Sequence, residues 1–459
     1  MALFRTESYK RGIVYSSAFN VSSRAIAFIQ QWLIAFYFGT TAGTDIFFLT
    51  YSIELYISYF FLNMTTSVLV PEGIKIRNRE SEQAGMAFMN TFMRIYAIAS
   101  FLIFALFMFD TKQLFGILSE FSEKTIEENL TLIRLFTPLI FLNTIVSILS
   151  ETMASYKFFT IPNMVSAINS QLSALFFVLF HNTLGLESVV VGLLIGAVFN
   201  LICLLWMMKK QLKWDFTTTA FSRIKSIFSS GMYTQIGFLA YIGTLFAPQY
   251  LFSTFSEGSL TAMNYAEKLS NIPCIFLITQ VVNVMAIKFN NLVSANDSKS
   301  VSNTIFKLML YFPAALFGVV IITMALSHWG VDFLFGMKFS KASIDLTANL
   351  LSLMILFLPF NFAYLIFLKV FNAYKKQNIV FWVQTITQCT VLVLYYFLIP
   401  KFGEMSFPVL KVIPYALSLF IILPILRKYC PEVSTIKLSI IFLLLIGLSA
   451  AAVGYFGFF

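Results

Sequence analysis

The chain has 459 residues, of which 59% are hydrophobic and 11% charged, and its formal net charge is +10. An ordinary soluble domain carries about 25% charged residues, so a water-soluble globular protein is excluded. What remains is a protein whose solvent is lipid: a hydrocarbon layer of ~30 Å takes about 20 apolar residues per helix, and every backbone polar group must be satisfied inside that helix.

In chain order, apolar stretches of that length predict spans near 12–38, 45–70, 85–109, 127–153, 161–181, 188–208, 229–252, 259–287, 304–327, 344–371, 378–399, 407–427 and 436–457. The first is too long for a cleaved signal peptide and is expected to stay as a span. Thr44 and Asp45 are read as the cap that opens the second. Gly192 and Gly196, on the sixth, have the spacing that lets two helices approach closely. Cys203, Cys274, Cys389 and Cys430 lie in spans or at a span end, so neither a disulfide framework nor a metal site is expected. His181 and His328 form no metal or catalytic pattern, and no phosphate-binding loop is present.

Basic residues alternate with the spans. With a cytoplasmic N-terminus, nineteen of the 31 Lys and Arg residues fall in inside segments, five in outside segments and seven within spans. The inside groups include Arg5, Lys10 and Arg11; Lys75, Arg77 and Arg79; Lys209, Lys210, Lys213, Arg223 and Lys225. Inside enrichment is an orientation signal, which accounts for most of the positive charge and leaves no case for nucleic-acid binding.

An internal repeat appears at an offset of about 218 residues. Ala154-Ser155-Tyr156-Lys157 matches Asn372-Ala373-Tyr374-Lys375, Asn169-Ser170-Gln171 falls near Thr387-Gln388, and Gly39 meets Gly258. Six spans separate the copies, so both run the same way and are related by an axis along the membrane normal. The expected architecture is an all-α polytopic membrane protein of two six-helix lobes, 1–220 and 221–432, with one additional helix in 433–459. The basic stretch 209–228 is the linker.

A charge at the bilayer centre costs at least about 2.5–3.5 kcal/mol on insertion scales and is turned toward a partner or a wet cavity. Arg24, Glu54, Arg94, Arg134, Glu267 and Lys268 all lie within the predicted spans. Arg94 and Arg134 are near enough to span ends to snorkel. Glu267 and Lys268 are adjacent and so diverge around their helix. Glu54 fits either a cavity wall or an interhelical hydrogen bond. Arg24, halfway along its span, has no such escape. A cationic cavity lined by Arg24, Lys268 and their acidic neighbours is the reading these depths give.

Two stretches carry a family resemblance. SSAFNVSSRAIAFIQQWLIAFYFGTTAGTDIFFLTYSIELYISYFF, which begins at Ser16 and leads on to VLVPEGIKIR, resembles the opening helices of the MviN/MurJ-type lipid II flippases. EGSLTAMNYAEKLSNIP, from Glu257 to Pro273, resembles the start of that family's eighth helix. These proteins belong to the multidrug/oligosaccharidyl-lipid/polysaccharide exporter superfamily. The resemblance implies two lobes around a cationic cavity that opens alternately to each side and flips an undecaprenyl-pyrophosphate-linked saccharide, either lipid II or a surface-polysaccharide (O-antigen) repeat unit. It places Arg24 and Lys268 on family cavity positions, with Glu267 as the preceding acid. It also implies a monomer in the bacterial cytoplasmic membrane, among membrane lipids, with no cofactor or metal and no enzymatic step.

The chain departs from the family pattern in three places. Gln30 and Gln31 stand where the family has an Arg-Asp pair, which leaves an uncharged wall suited to sugar hydroxyls, and Gln31 joins Arg24, Glu54, Glu267 and Lys268 as a candidate substrate contact. One helix rather than two follows the twelfth. The seventh span, with Gln235 and Gln249, has no acidic residue for a sodium site. The rival readings are a drug/cation antiporter of the same superfamily, which needs acids facing its substrate, and a membrane enzyme acting on lipid-linked sugars, which needs a larger outer loop than 110–126 or 328–343 supplies.

Overall fold

The computed structural model describes residues 9–219 and 221–457. Arg5, Ala220 and Phe459 lie outside the described residues, as do the side chains of Lys10, Arg11, Arg223 and Lys225. The chain divides into two compact units, Met1–Ile242 and Gly243–Phe459.

The first unit is built from α1 (Tyr9–Phe38), α2 (Ala42–Arg79), α3 (Glu82–Phe109), α4 (Leu130–Ser155), α5 (Thr160–Leu184), α6 (Glu187–Gln211) and the start of α7 (Phe221–Phe252). The second takes the end of α7 and continues with α8 (Ser259–Ser294), α9 (Ser298–Phe335), α10 (Lys341–Ala373), α11 (Gln377–Phe402), α12 (Ser406–Tyr429) and α13 (Thr435–Tyr455). Among the described residues, eleven of these helices are long and apolar enough to cross a membrane; α1 and α7 are the other two, and both occupy predicted span positions.

Packing follows one plan in both units. In the first, α4 is central and touches α2, α3 and α6, while α5 pairs with α6 and α1 lies on α5. In the second, α10 is central and touches α8, α9 and α12, α11 pairs with α12, and α13 is added against α9 and α12. The α1–α5 contact is fixed by Ser23 and Ser170, whose hydroxyls are 2.8 Å apart, and by Gln30 Nε2 donating to Ser173 Oγ at 3.0 Å. The matching α7–α11 contact is made by Thr244 Oγ1 donating to Gln388 Oε1 at 2.9 Å. Buried Phe357, Phe360, Phe362, Phe367 and Phe371 cover α10 on all sides, the pattern of a helix with no solvent or lipid face.

The two central helices also end alike. Lys157 and Lys375 adopt left-handed backbone angles, φ 64° and 56°. Behind them Phe158 N donates to Met153 O at 3.1 Å and Lys376 N to Phe371 O at 2.9 Å, the six-to-one bond of a Schellman turn. Gly39 and Gly258, before α2 and α8, are likewise left-handed at 63° and 88°.

Three features differ from the sequence expectation. The cap of α2 is Thr41, whose Oγ1 accepts from Thr44 N at 3.3 Å while Thr44 Oγ1 accepts from Thr41 N at 2.8 Å. The helix therefore begins earlier than predicted, and Asp45 sits buried in its first turn. Helices α2 and α8 run well past the predicted span ends, and each holds a π segment beside a proline, Thr65–Leu69 before Pro71 and Cys274–Ile278 after Pro273; a proline has no N–H to give the α ladder, and a wider turn accommodates the gap. The loop after α3 holds two short helices, Thr111–Ile117 and Glu123–Glu128, anchored by the fully buried Phe115 ring.

Candidate functional site

The charges that sequence depth singled out sort into anchors and interior groups. Arg94 donates from Nη2 to Phe216 O at 3.3 Å and from Nη1 to Thr218 Oγ1 at 3.4 Å, so it fastens the segment after α6 to α3. Asn90 and Thr91 complete that clasp. Asn90 Nδ2 donates to the carbonyls of Asp215 and Thr217, Trp214 Nε1 donates to Asn90 Oδ1 at 2.7 Å, and Thr219 N donates to Thr91 Oγ1 at 3.0 Å. Arg134 Nε donates to Thr111 Oγ1 at 3.3 Å, at the end of its helix. Both arginines are structural.

Arg24 lies midway along α1. Its Nε donates to Asn20 Oδ1 one turn earlier at 2.9 Å, it forms no ion pair among the described residues, and within its unit it is exposed. Glu54 on α2 is 3% exposed. Its Oε1 accepts from Ser58 Oγ and from Asn143 Nδ2 of α4, both at 2.9 Å. These groups border a cavity of about 280 Å³ that also touches Tyr51, Tyr59, Ser147 and Asn169. Tyr59 lies within electrostatic range of both Glu54 and Arg24. Gln31 is half-buried, while its neighbour Gln30 is the residue that ties α1 to α5. The first unit thus brings Glu54 together with Asn143, while Arg24 is not among the residues that line this cavity.

In the second unit Glu267 is paired: Lys411 Nζ of α12 donates to its Oε1 at 2.7 Å, with side-chain exposures of 13% and 28%. Lys411 thus offsets the Glu267 charge, and Lys268 follows at the next position of α8. Lys268 Nζ is shielded from solvent and lies 5.6 Å from the Tyr265 ring centroid. Farther along, Gln249 and Asn264 exchange amide hydrogen bonds at 3.3 and 3.1 Å between α7 and α8.

Sequence reasoning missed Lys411 and Asn143 as partners. Lys411 carried a signal, a charge near the start of a span, but its mate is 144 positions away. Asn143 carried none, since an amide in a polar-tolerant stretch looks like any other. Among the described residues no cluster of three or more His, Cys, Asp or Glu side chains forms a metal site.

This helical plan recurs in solved transporters. The structure described as lipid II flippase MurJ in an inward closed conformation superposes with a TM-score of 0.78 at 16% identity, covering 96% of this chain and 98% of that one. An inward-facing multidrug resistance MATE family transporter gives 0.68 at 10% identity, covering 95% of each chain. A MOP superfamily transporter from Pyrococcus furiosus Vc1 gives 0.59 at 12% identity, covering 98% of each. No curated protein matches the sequence significantly. Fold and span composition together define a multi-pass helical membrane protein with the fold of these transporters.

Within that class the assignment is narrower. The family model described as lipid II flippase MurJ matches residues 34–458, nearly the whole chain, and the protein belongs to that family.

Proposed function

We propose that the protein moves a polyprenyl-pyrophosphate-linked saccharide from the cytoplasmic to the outer leaflet of a bacterial inner membrane by alternating access. It acts as a monomer with its N-terminus in the cytoplasm, and as a transporter rather than an enzyme acting on lipid-linked sugars. Arg24 of the first unit and Lys268 of the second are the cationic partners of the pyrophosphate. Glu267 is held away from the substrate anion by Lys411, and Gln31 offers an uncharged contact to sugar hydroxyls.

The observation that supports this reading is the state of Arg24: a guanidinium midway along α1, with one intrahelical hydrogen bond and no ion-pair partner among the described residues. A pyrophosphate crossing a region of low dielectric needs such a group, because charge-assisted bonds are strongest where water is scarce. The family's own substrate is named as lipid II. Glutamines at positions 30 and 31, in place of a charged pair, favour a surface-polysaccharide repeat unit for this member.

The test is genetic rescue in two strains, one lacking a lipid II flippase and the other an O-unit flippase, with wild type, Arg24→Ala and Lys268→Ala. Rescue of the second strain only identifies the repeat unit as substrate. Losing one charge-assisted bond of about 1.5–3 kcal/mol lowers transport roughly 10- to 150-fold, and both variants are expected to fail while accumulating normally in the membrane. Full rescue by both variants overturns the assignment. Uptake of a cationic dye without saccharide flipping makes the protein a drug/cation antiporter instead.

A further inference from the structure

The cavity beside Glu54 is polar in a way that a pyrophosphate does not explain, since a carboxylate repels one. Glu54 is 3% exposed and lies on the cavity wall; Ser58 and Asn143 donate to its Oε1 at 2.9 Å each, and Oε2 receives neither bond. Tyr51 and Tyr59 share that wall and lie within electrostatic range of Glu54 and of each other. Among the described residues neither phenol hydroxyl has a hydrogen-bond partner, and neither does Asn143 Oδ1. The wall thus offers an anionic acceptor, an amide acceptor and two hydroxyls that both donate and accept. A bare cation answers the acceptors and leaves the phenol protons idle, whereas a sugar hydroxyl answers both kinds. Leu55, Leu62 and Leu139 add apolar faces for the C–H side of a ring. Charge points the same way: Glu54 opposes an anionic guest, and Arg24, within electrostatic range of Tyr59, opposes a second cation.

We propose that this cavity is a subsite for one uncharged sugar ring, with Glu54 Oε2 accepting from ring hydroxyls and Tyr51 and Tyr59 completing the set. Its volume of about 280 Å³ lies near the lower end of small-molecule pockets, about 300 Å³, which is room for one ring and not for an oligosaccharide. Glu54 is then a specificity-determining residue: bonds to a charged acceptor are the strong ones, and the same charge turns away a ring that carries its own carboxylate. Which ring of the substrate enters rests on the flippase reading above. With Arg24 on the pyrophosphate and in range of Tyr59, the ring is the one bonded to the phosphate, and a uronic acid at that place is refused.

The full chain, in a detergent without a sugar headgroup, is titrated with the methyl glycosides of glucose, galactose, N-acetylglucosamine and glucuronic acid while its melting temperature is followed. Sorbitol, an open-chain polyol, corrects for general stabilisation. Wild type is expected to show a saturable rise above sorbitol with a neutral glycoside, and binding of the glucuronide weaker by at least about 10-fold. Glu54→Ala raises the half-saturating concentration of the neutral glycoside roughly 10- to 150-fold. Glu54→Gln, which keeps the shape and an acceptor, narrows the gap between neutral glycoside and glucuronide, and Tyr59→Phe weakens both alike. Monodisperse elution establishes that each variant is folded, and Glu54→Gln carries the test if Glu54→Ala is not. No rise above sorbitol with any neutral glycoside, equal binding of the glucuronide to wild type, or an unchanged gap in Glu54→Gln overturns the subsite. Because no lipid carrier is present and nothing is flipped, these results are independent of the rescue tests above: glycoside binding without rescue sinks the flippase reading alone, and rescue without glycoside binding sinks the subsite alone.

Discussion

Replacing Asn90 with alanine removes the centre of the clasp that holds residues 214–219 on α3. Asn90 and Trp214 are only 2% and 4% exposed. The substitution deletes two donor bonds to the Asp215 and Thr217 carbonyls and the acceptor for the Trp214 indole N–H. An orphaned buried donor costs about 1–3 kcal/mol, and each carbonyl bond contributes about 0.5–1.5 kcal/mol. Asp215 and Thr217 are exposed and can recruit water, so the net loss is set at about 2–4 kcal/mol. At 1.4 kcal/mol per factor of ten, local opening rises roughly 30- to 1,000-fold. Lys213 directly precedes the clasp, and trypsin cleavage after it tracks the open population when reclosing is fast. Limited trypsinolysis of purified wild type and Asn90→Ala, with fragments mapped by mass, reads the ratio directly. Equal cleavage rates at Lys213 would refute the claim that Asn90 organises this segment.

Two further substitutions probe packing. Phe115→Ala empties a fully buried ring site beneath the short outer helices and should cost about 3–5 kcal/mol, seen as a lower melting temperature with faster hydrogen exchange confined to 111–128; an unchanged exchange pattern there argues against Phe115 as the anchor. Gly192→Ala pushes a Cβ to 2.8 Å from the Ser173 carbonyl oxygen on α5, a backbone contact that cannot swing aside, and should destabilise by about 1–3 kcal/mol. The control is Gly318→Ala on α9, where a Cβ meets nothing within 4 Å and the higher helix propensity of alanine applies. Equal melting temperatures for the two variants would contradict the close α5–α6 approach.

Much of the scaffold was legible because membrane physics writes it in one dimension. Apolar run length located the eleven helices long and apolar enough to span among the described residues, and Gly39, Gly258 and the two Tyr-Lys pairs marked turns by residue types that tolerate or terminate. Charge depth singled out Arg94 and Arg134 together with Arg24, but not the partners those two hold, Phe216 and Thr218 for the one and Thr111 for the other. The unread features are those written across the chain. Glu267 and Lys411 meet between α8 and α12, and Glu54 meets Asn143 between α2 and α4; spacing along one helix says nothing about which other helix arrives. The π segments escaped for a different reason. The predicted span over 259–287 already runs through Pro273, but nothing in an apolar run says that the ladder widens to a π turn beside a proline; the surrounding fold decides that.

Lys157 and Lys375 occupy a backbone conformation that glycine enters freely and that costs other L-residues about 1–2 kcal/mol. Nature's usual choice for such a stop is thus set aside twice, at equivalent places, in favour of a cation. The residue that terminates each central helix also fixes a positive charge at its boundary, so chain reversal and resistance to being dragged through the bilayer are encoded in a single side chain. Exchange for glycine relaxes the turn and erases the electrostatic marker, whereas exchange for arginine keeps the marker and the strain: fold comfort and membrane topology select in opposite directions at these two positions.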